Sequence, residues 1–418
     1  MKKIITILLV WTITIFISII WTYENVDIID SIKAKLEQKK GAPETNFDKK
    51  KQSESILATS NSFDIKAEKI ISFKGKTTFL LNSSINKDFN LDDVSIFSQN
   101  AFVITNKKKR KLNVNENFTL EFNGGIKTII LIDEKIYALV SSVKDDCYYA
   151  SIVDVEDGRE LFKTKCLIKE LESEIDFNGL GSSFIFEKNR ILLSVGTPTQ
   201  DSTKINSLAQ NENSFFGKIL SIESREFAAK SIEPKIFSFG HRNPQGLTKL
   251  GDKIFSVEHG PKGGDELNEI KFKENYGWPL ASYGTRYFFH DNGKSYEVSH
   301  ENNGFKEPLH ALVPSVGISA VNKCPTKLAN YYKRNCLLAL SLYGNELRPG
   351  KSLLIFLLDN NFKTVNSFEK IFLNEKLAMR HFMTNKKNEI YEDREGNIYV
   401  SADNEGVYKI SFADFRYL

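Results

Sequence analysis

Two kinds of hydrophobic pattern divide the chain. After Lys2 and Lys3, residues Ile4–Thr22 read IITILLVWTITIFISIIWT without a charge. At 1.5 Å per residue this run approaches the ~30 Å of a bilayer core, so it predicts a transmembrane helix over 4–22. A buried core helix would show an amphipathic period instead. Trp21, Thr22, Tyr23 and Glu24 stand where a small-residue cleavage site would be needed, which makes the segment an uncleaved anchor. Residues 1–3 become a cytoplasmic tail, and the rest is expected to face the periplasm or exterior from a single pass through the inner membrane. Residues 23–65 are rich in Lys, Glu, Ser and Asn and read as a flexible linker.

From residue 66 to the end, short apolar runs alternate with turn residues, and one pattern returns. The copies DEKIYALV, KNRILLSV, GDKIFSVE and EGNIYVSA carry Ile136, Ile191, Ile254 and Ile398. The last interval is long enough for two units with one degenerate copy between. That period suits a four-stranded unit with long connections and is too long for a solenoid. The expected architecture is therefore all-β: a six-bladed β-propeller over 66–418 behind the N-terminal helix and linker. A pair of β-sandwiches is the alternative, and it accounts less well for the repeat.

Composition adds bounds. The 418 residues are 41% hydrophobic and 12% aromatic, enough to build a core, and 31 Phe with 15 Tyr favour strands. A formal charge of +4 is too balanced to argue for nucleic acid as a partner. The basic run Lys107–Lys111 is best read as an exposed hairpin. Cys147 with Cys166 and Cys324 with Cys336 lack zinc spacing; two local disulfides and buried free thiols both remain open.

One stretch, Phe239–Gly284, concentrates polar and conformationally special residues. His241-Arg242-Asn243-Pro244-Gln245-Gly246 precedes a strand, where Pro and Gly fix a turn and three hydrogen-bonding side chains can face one ligand. One strand later, Glu258-His259-Gly260-Pro261-Lys262-Gly263-Gly264-Asp265-Glu266 joins a bent backbone to carboxylates. This is oxygen-rich chemistry suited to calcium rather than zinc. The plainer readings are a turn stapling two strands and a solvated loop.

In this order and spacing, GHRNPQGL, EHGPKGGDELN and NYGWP resemble the soluble pyrroloquinoline quinone (PQQ) dependent sugar dehydrogenases, the glucose/sorbosone or aldose sugar dehydrogenase family. The resemblance implies a six-bladed propeller with calcium and PQQ at one axial mouth and a small-molecule sugar or glycan as substrate. It implies that Arg242, Asn243 and Gln245 face the cofactor and substrate, with Arg242 the single catalytic candidate. Asn123 and Tyr343 stand where the family places a cofactor-binding glutamine and lysine. The carbonyls of Gly260 and Pro261 would hold the calcium beside the quinone, while Glu266 and the Tyr276 carbonyl, with Asp265 nearby, would hold a structural calcium.

The chain also departs from the family. All six histidines lie at or after residue 241, and Gly179, within Asn178-Gly179-Leu180-Gly181, aligns with the family's catalytic histidine. The usual general base is thus unmatched. Arg348, Lys386 or Arg380 are candidates for the unmatched cofactor cations. Two functions follow: a PQQ and calcium dependent sugar oxidoreductase, or a non-catalytic, calcium-stabilised propeller that binds a sugar, glycan or protein. Oligomeric state is not legible.

Overall fold

Over most of the chain, strands that follow one another in sequence are neighbours in space. The computed structural model describes residues 45–46, 55–84, 87–229, 231–286, 296–343 and 351–416. Among these residues, six four-stranded antiparallel units follow one another, each a meander whose successive strands pair. The first unit is Thr77–Asn82, Val94–Ser98, Phe102–Thr105 and Lys108–Lys111. The second is Ile126–Ile132, Lys135–Lys144, Cys147–Asp154 and Glu160–Lys163, and the third Phe184–Glu187, Arg190–Val195, Lys218–Glu223 and Lys235–Phe239. The fourth is Pro244–Leu250, Lys253–Glu258, Asp265–Ile270 and His310–Leu312, and the fifth Ile318–Lys323, Asn335–Ser341, Ser352–Leu358 and Val365–Phe372.

The sixth sheet joins the two ends of the chain. Met379–Thr384, Ile398–Ala402 and Gly406–Ala413 are completed by Asp64–Phe73, whose register runs from Asp64 opposite Ala413 to Ser72 opposite Gly406. Ser55–Thr59 pairs on the far side of Asp64–Phe73, and Thr45–Asn46 pairs there too, so strand begins inside the stretch expected as a linker over 23–65. The leading strands of the sixth and first sheets run parallel, Met383 beside Leu80 and Thr384 beside Leu81. Leading strands of most successive sheets are neighbours, which gives an all-β, propeller-like arrangement.

Burial explains why these segments are strands. The second strands of the second, third, fourth and sixth sheets hold the four recurrent isoleucines; Ile191 and Ile398 are fully buried and Ile254 nearly so. Layers of Val, Ile, Leu and Phe between adjacent sheets form the core, at roughly 1.5–3 kcal/mol per fully buried large side chain. Both cysteine pairs are disulfides, Cys147–Cys166 and Cys324–Cys336. The basic run includes the exposed outer strand Lys108–Lys111 of the first sheet, where charge discourages edge-to-edge pairing.

The expected localisation needs correction. The tail 1–3 and the helix expected over 4–22 lie outside the described residues. Among the described residues no helix is long and apolar enough to cross a membrane. The longer of their α-helices, Thr326–Tyr332, has 7 residues, against about 20 needed to span. Among the described residues the single-pass, inner-membrane placement has no spanning element to carry it.

Candidate functional site

The motif residues gather at one end of the fourth sheet. Gly240–Asn243 bring the chain from the third sheet into Pro244–Leu250; Glu258 ends the next strand; Gly260–Gly264 turn the chain into Asp265–Ile270. This turn requires glycine: Gly264 has φ +75°, and a Cβ there would collide with the backbone nitrogen of Gly284.

Glu258 is the hub. Its carboxylate receives the Arg242 N–H at 2.8 Å and the Asn268 side-chain amide at 2.9 Å, and lies 3.2 Å from Nδ1 of His241. The other His241 nitrogen lies 2.9 Å from Ser238 Oγ, and its ring stacks on Tyr276 at 4.5 Å. His241 is fully buried with both nitrogens engaged. Burial works against ionisation of Glu258, yet His241 and the hydrogen bonds from Arg242 and Asn268 hold its pKa below the ordinary value.

Glu266 faces the same place. Asn268 donates to it at 3.1 Å, and burial together with the neighbouring Glu258 carboxylate pushes its pKa well above the usual range. Glu258, Glu266, Gly240, Gly260, Pro261 and Tyr276 help line a cavity of about 10 Å³, room for one water or one ion. His300, fully buried, approaches with Nε2 3.7 Å from Glu266.

The expected metal residues thus divide. Glu266, Gly260, Pro261 and Tyr276 border the cavity. Asp265 is committed elsewhere: it accepts the Gly260 N–H at 3.2 Å and the N–H groups of Val316 and Ile318 at 3.0 Å each, stapling the fourth sheet to the fifth. Among the described residues no group of three or more His, Cys, Asp or Glu side chains forms a metal cluster.

The expected cofactor residues are also brought together. The Arg242 guanidinium is 5.3 Å from the Trp278 ring and donates to the carbonyls of His259 at 3.1 Å and Gln200 at 3.3 Å, while its Nε has no partner. Asn243 accepts from Gly181 N–H at 2.8 Å and from Gln245 at 2.7 Å, and donates to the Asn178 carbonyl at 3.2 Å. Its amide also lies 3.4 Å from His259 Nδ1, which makes Nδ1 the acceptor and leaves the proton on Nε2. Asn123 donates to Asp176 at 3.0 Å. Tyr343 is 64% exposed, with its ring packed over Gly317 and its hydroxyl acting on Arg380.

Sequence reasoning missed Lys127. Its ammonium donates to the carbonyls of Asn123 at 2.8 Å and Phe177 at 2.7 Å, tying the second sheet to the turn that contains Gly179. Burial, with Lys76 and Arg380 nearby, pushes its pKa down to about 7. Arg380 is paired with Asp403 and, with Arg242, acts on His259. Arg242, Arg380, Lys76 and Lys127 are thus linked by electrostatic reach, with Asp403 paired to Arg380 and Asp176 beside Lys127. The sequence signal was a lysine within the otherwise apolar strand IKTIILI. Lys386 is not in that group: it pairs with Glu134 at 2.6 Å at the opposite mouth, and Arg348 lies outside the described residues.

Comparison with known proteins gives consistent matches. Residues 100–408 match the family model described as glucose / sorbosone dehydrogenase. The aldose sugar dehydrogenase YliI of Escherichia coli is 27% identical over 184 residues, 39% of this chain and 48% of that protein. Quinoprotein glucose dehydrogenase B of Acinetobacter calcoaceticus is 35% identical over 95 residues, 21% of this chain and 19% of that protein. The aligned part thus spans less than half of each of these curated relatives. Among solved structures, the soluble aldose sugar dehydrogenase of Escherichia coli in its apo form superposes with TM-score 0.60 at 18% identity, covering 83% of this chain and 99% of that one. At that identity the likeness is one of fold.

Proposed function

The chain belongs to the glucose/sorbosone dehydrogenase family, and from that premise we propose that it is a sugar oxidoreductase of six propeller blades, with PQQ and calcium at the mouth formed by Arg242, Asn243 and Glu266. One observation carries the reading: Arg242 borders a small cavity walled by two buried carboxylates, and Arg380 lies within electrostatic reach of both His259 in that cavity's wall and the buried Lys127. A cationic side chain such as Arg242 suits a trianionic cofactor, and a carboxylate-lined cavity suits a divalent cation.

The residues fit both groups. Arg242 has a buried Nε with no partner, and the Lys127 nitrogen is held in place by two carbonyls, so neither side chain has to be ordered on binding. Glu266, with the carbonyls of Gly260, Pro261 and Tyr276, would supply the oxygen ligands calcium prefers. When bound, PQQ supplies the hydride acceptor, and calcium polarises its carbonyl. The chain's own groups bind and orient. Arg242 offers a charge-assisted donor, and Asn243 fixes the His259 tautomer.

A second reading, binding without turnover, is favoured by a specific observation. Both His241 nitrogens are engaged and His259 carries its proton on Nε2, so neither histidine of the motif presents a basic nitrogen to a sugar hydroxyl. Dye-linked oxidation assayed over a panel of aldoses, with the protein loaded with PQQ and calcium, separates the two. Turnover that Arg242→Ala abolishes supports the oxidoreductase; saturable PQQ binding with no turnover supports the second.

A further inference from the structure

A cavity of about 860 Å³ lies away from the candidate site, at the opposite end of the central strands. The strand Pro244–Leu250 shows the separation: Asn243, at its start, belongs to the candidate site, whereas Thr248 and Lys249, near its end, line this cavity. At about 3.3 Å per residue the two mouths are some 15–20 Å apart along that strand. The volume falls within the ~300–1,000 Å³ of ordinary small-molecule sites.

The lining has a definite chemistry. Ile132, Ile185 and Phe186 contribute apolar surface. Six basic side chains, Lys188, Arg225, Lys249, Lys323, Lys386 and Lys387, stand against three acidic ones, Asp133, Glu223 and Glu389. Lys249 and Lys386 are neutralised at 2.6 Å by Glu187 and Glu134, acids outside the lining. Lys188, Arg225, Lys323 and Lys387 have no ion-pair partner among the described residues and come from the third, fifth and sixth sheets. Set against Asp133, Glu223 and Glu389, these four cations from three separate sheets leave the apolar-backed hollow with an excess of one positive charge, which an organic anion would neutralise. Two neutral amides, Asn322 and Asn388, border both this hollow and a smaller axial cavity of about 40 Å³, offering hydrogen bonds at its inner end.

We propose that this opposite mouth is a second binding site, for a small organic anion with an apolar face. The site is independent of the reading given to the Arg242 mouth.

The test uses the intact chain and benzene-1,3,5-tricarboxylate as probe, with lysine acetylation rates read residue by residue by mass spectrometry. Bound probe shields the lysines it touches, so at tenfold excess over half-saturation Lys188, Lys323 and Lys387 should slow at least ~5-fold while Lys108, on the exposed outer strand, keeps its rate. In the double variant Lys188→Glu with Lys323→Glu, half-saturation read at Lys387 should shift about tenfold upward. Equal slowing at Lys108 and Lys387, no slowing at all, or unchanged half-saturation in the double variant overturns the proposal. Protection that survives Arg242→Ala separates this site from the other mouth.

Discussion

Glu258 and Glu266 sit opposite each other on adjacent strands, and one amide, Asn268 Nδ2, donates to both, at 2.9 and 3.1 Å. Two buried carboxylates cannot both stay ionised cheaply without a cation. Glu258 keeps its charge through His241, Arg242 and Asn268, so Glu266 carries the proton when no metal is bound.

Glu266→Gln reproduces that protonated form. Its stability in chelator should therefore stay within ~0.5 kcal/mol of the parent. Calcium at a hundred times its dissociation constant should stabilise the parent by about 2.7 kcal/mol and the variant hardly at all. Thermal melts with calcium and with chelator read both. A variant melt that still rises with calcium would remove Glu266 from the cation site.

Lys127 sets a pH dependence with a definite sign. Its folded pKa of about 7 is below its ordinary value of 10.5, so the unfolded chain binds more protons between those limits and stability gains with rising pH there. Lys127→Met removes the buried charge. The variant should exceed the parent in stability at pH 6, with the gap closing between pH 7 and 10. An anion at this mouth restores the proton, so PQQ affinity in the parent should fall as pH rises through 7, and the variant should lose that slope. Calorimetry at pH 6, 7 and 8 checks it.

Arg242 contributes a planar fork rather than only a charge. Its two terminal nitrogens reach the carbonyls of His259 and Gln200, a geometry lysine does not reproduce. Arg242→Lys should thus weaken PQQ binding nearly as much as Arg242→Ala, by roughly tenfold to a hundredfold for a lost charge-assisted bond. The backbone N–H to Glu258 persists in both variants, so calcium-dependent melting should not change.

Gly264→Ala tests the loop itself. At φ +75° and against the Gly284 backbone it should cost about 1–3 kcal/mol and weaken calcium binding, whereas Gly304→Ala, equally left-handed but with nothing within 4 Å, should affect stability alone.

Much of this arrangement was legible beforehand, for reasons tied to particular residues. Four isoleucines mark second strands because each follows a hairpin turn and packs into the core or, for Ile136, against it. The copy missing between Ile254 and Ile398 is Asn335–Ser341, where the disulfide-bonded Cys336 takes the isoleucine's place in the strand. Closure of the sixth sheet by Asp64–Phe73 was hidden, since its partner Gly406–Ala413 lies at the far end of the chain and no local pattern records so distant a pairing. The motif loops were found because Gly, Pro and charged residues cluster in sequence. Lys127 was not, because a lone lysine in a strand reads as solvated until its carbonyl partners are seen.

Whether the Arg242 mouth holds an anionic quinone beside a cation can be measured on the protein itself. The most direct test is calorimetric titration of PQQ into the intact chain, with calcium and with chelator. The expected result is saturable binding at one equivalent, tighter with calcium and weakened by Arg242→Ala. Absence of binding with calcium present, or binding indifferent to both calcium and Arg242, would contradict it.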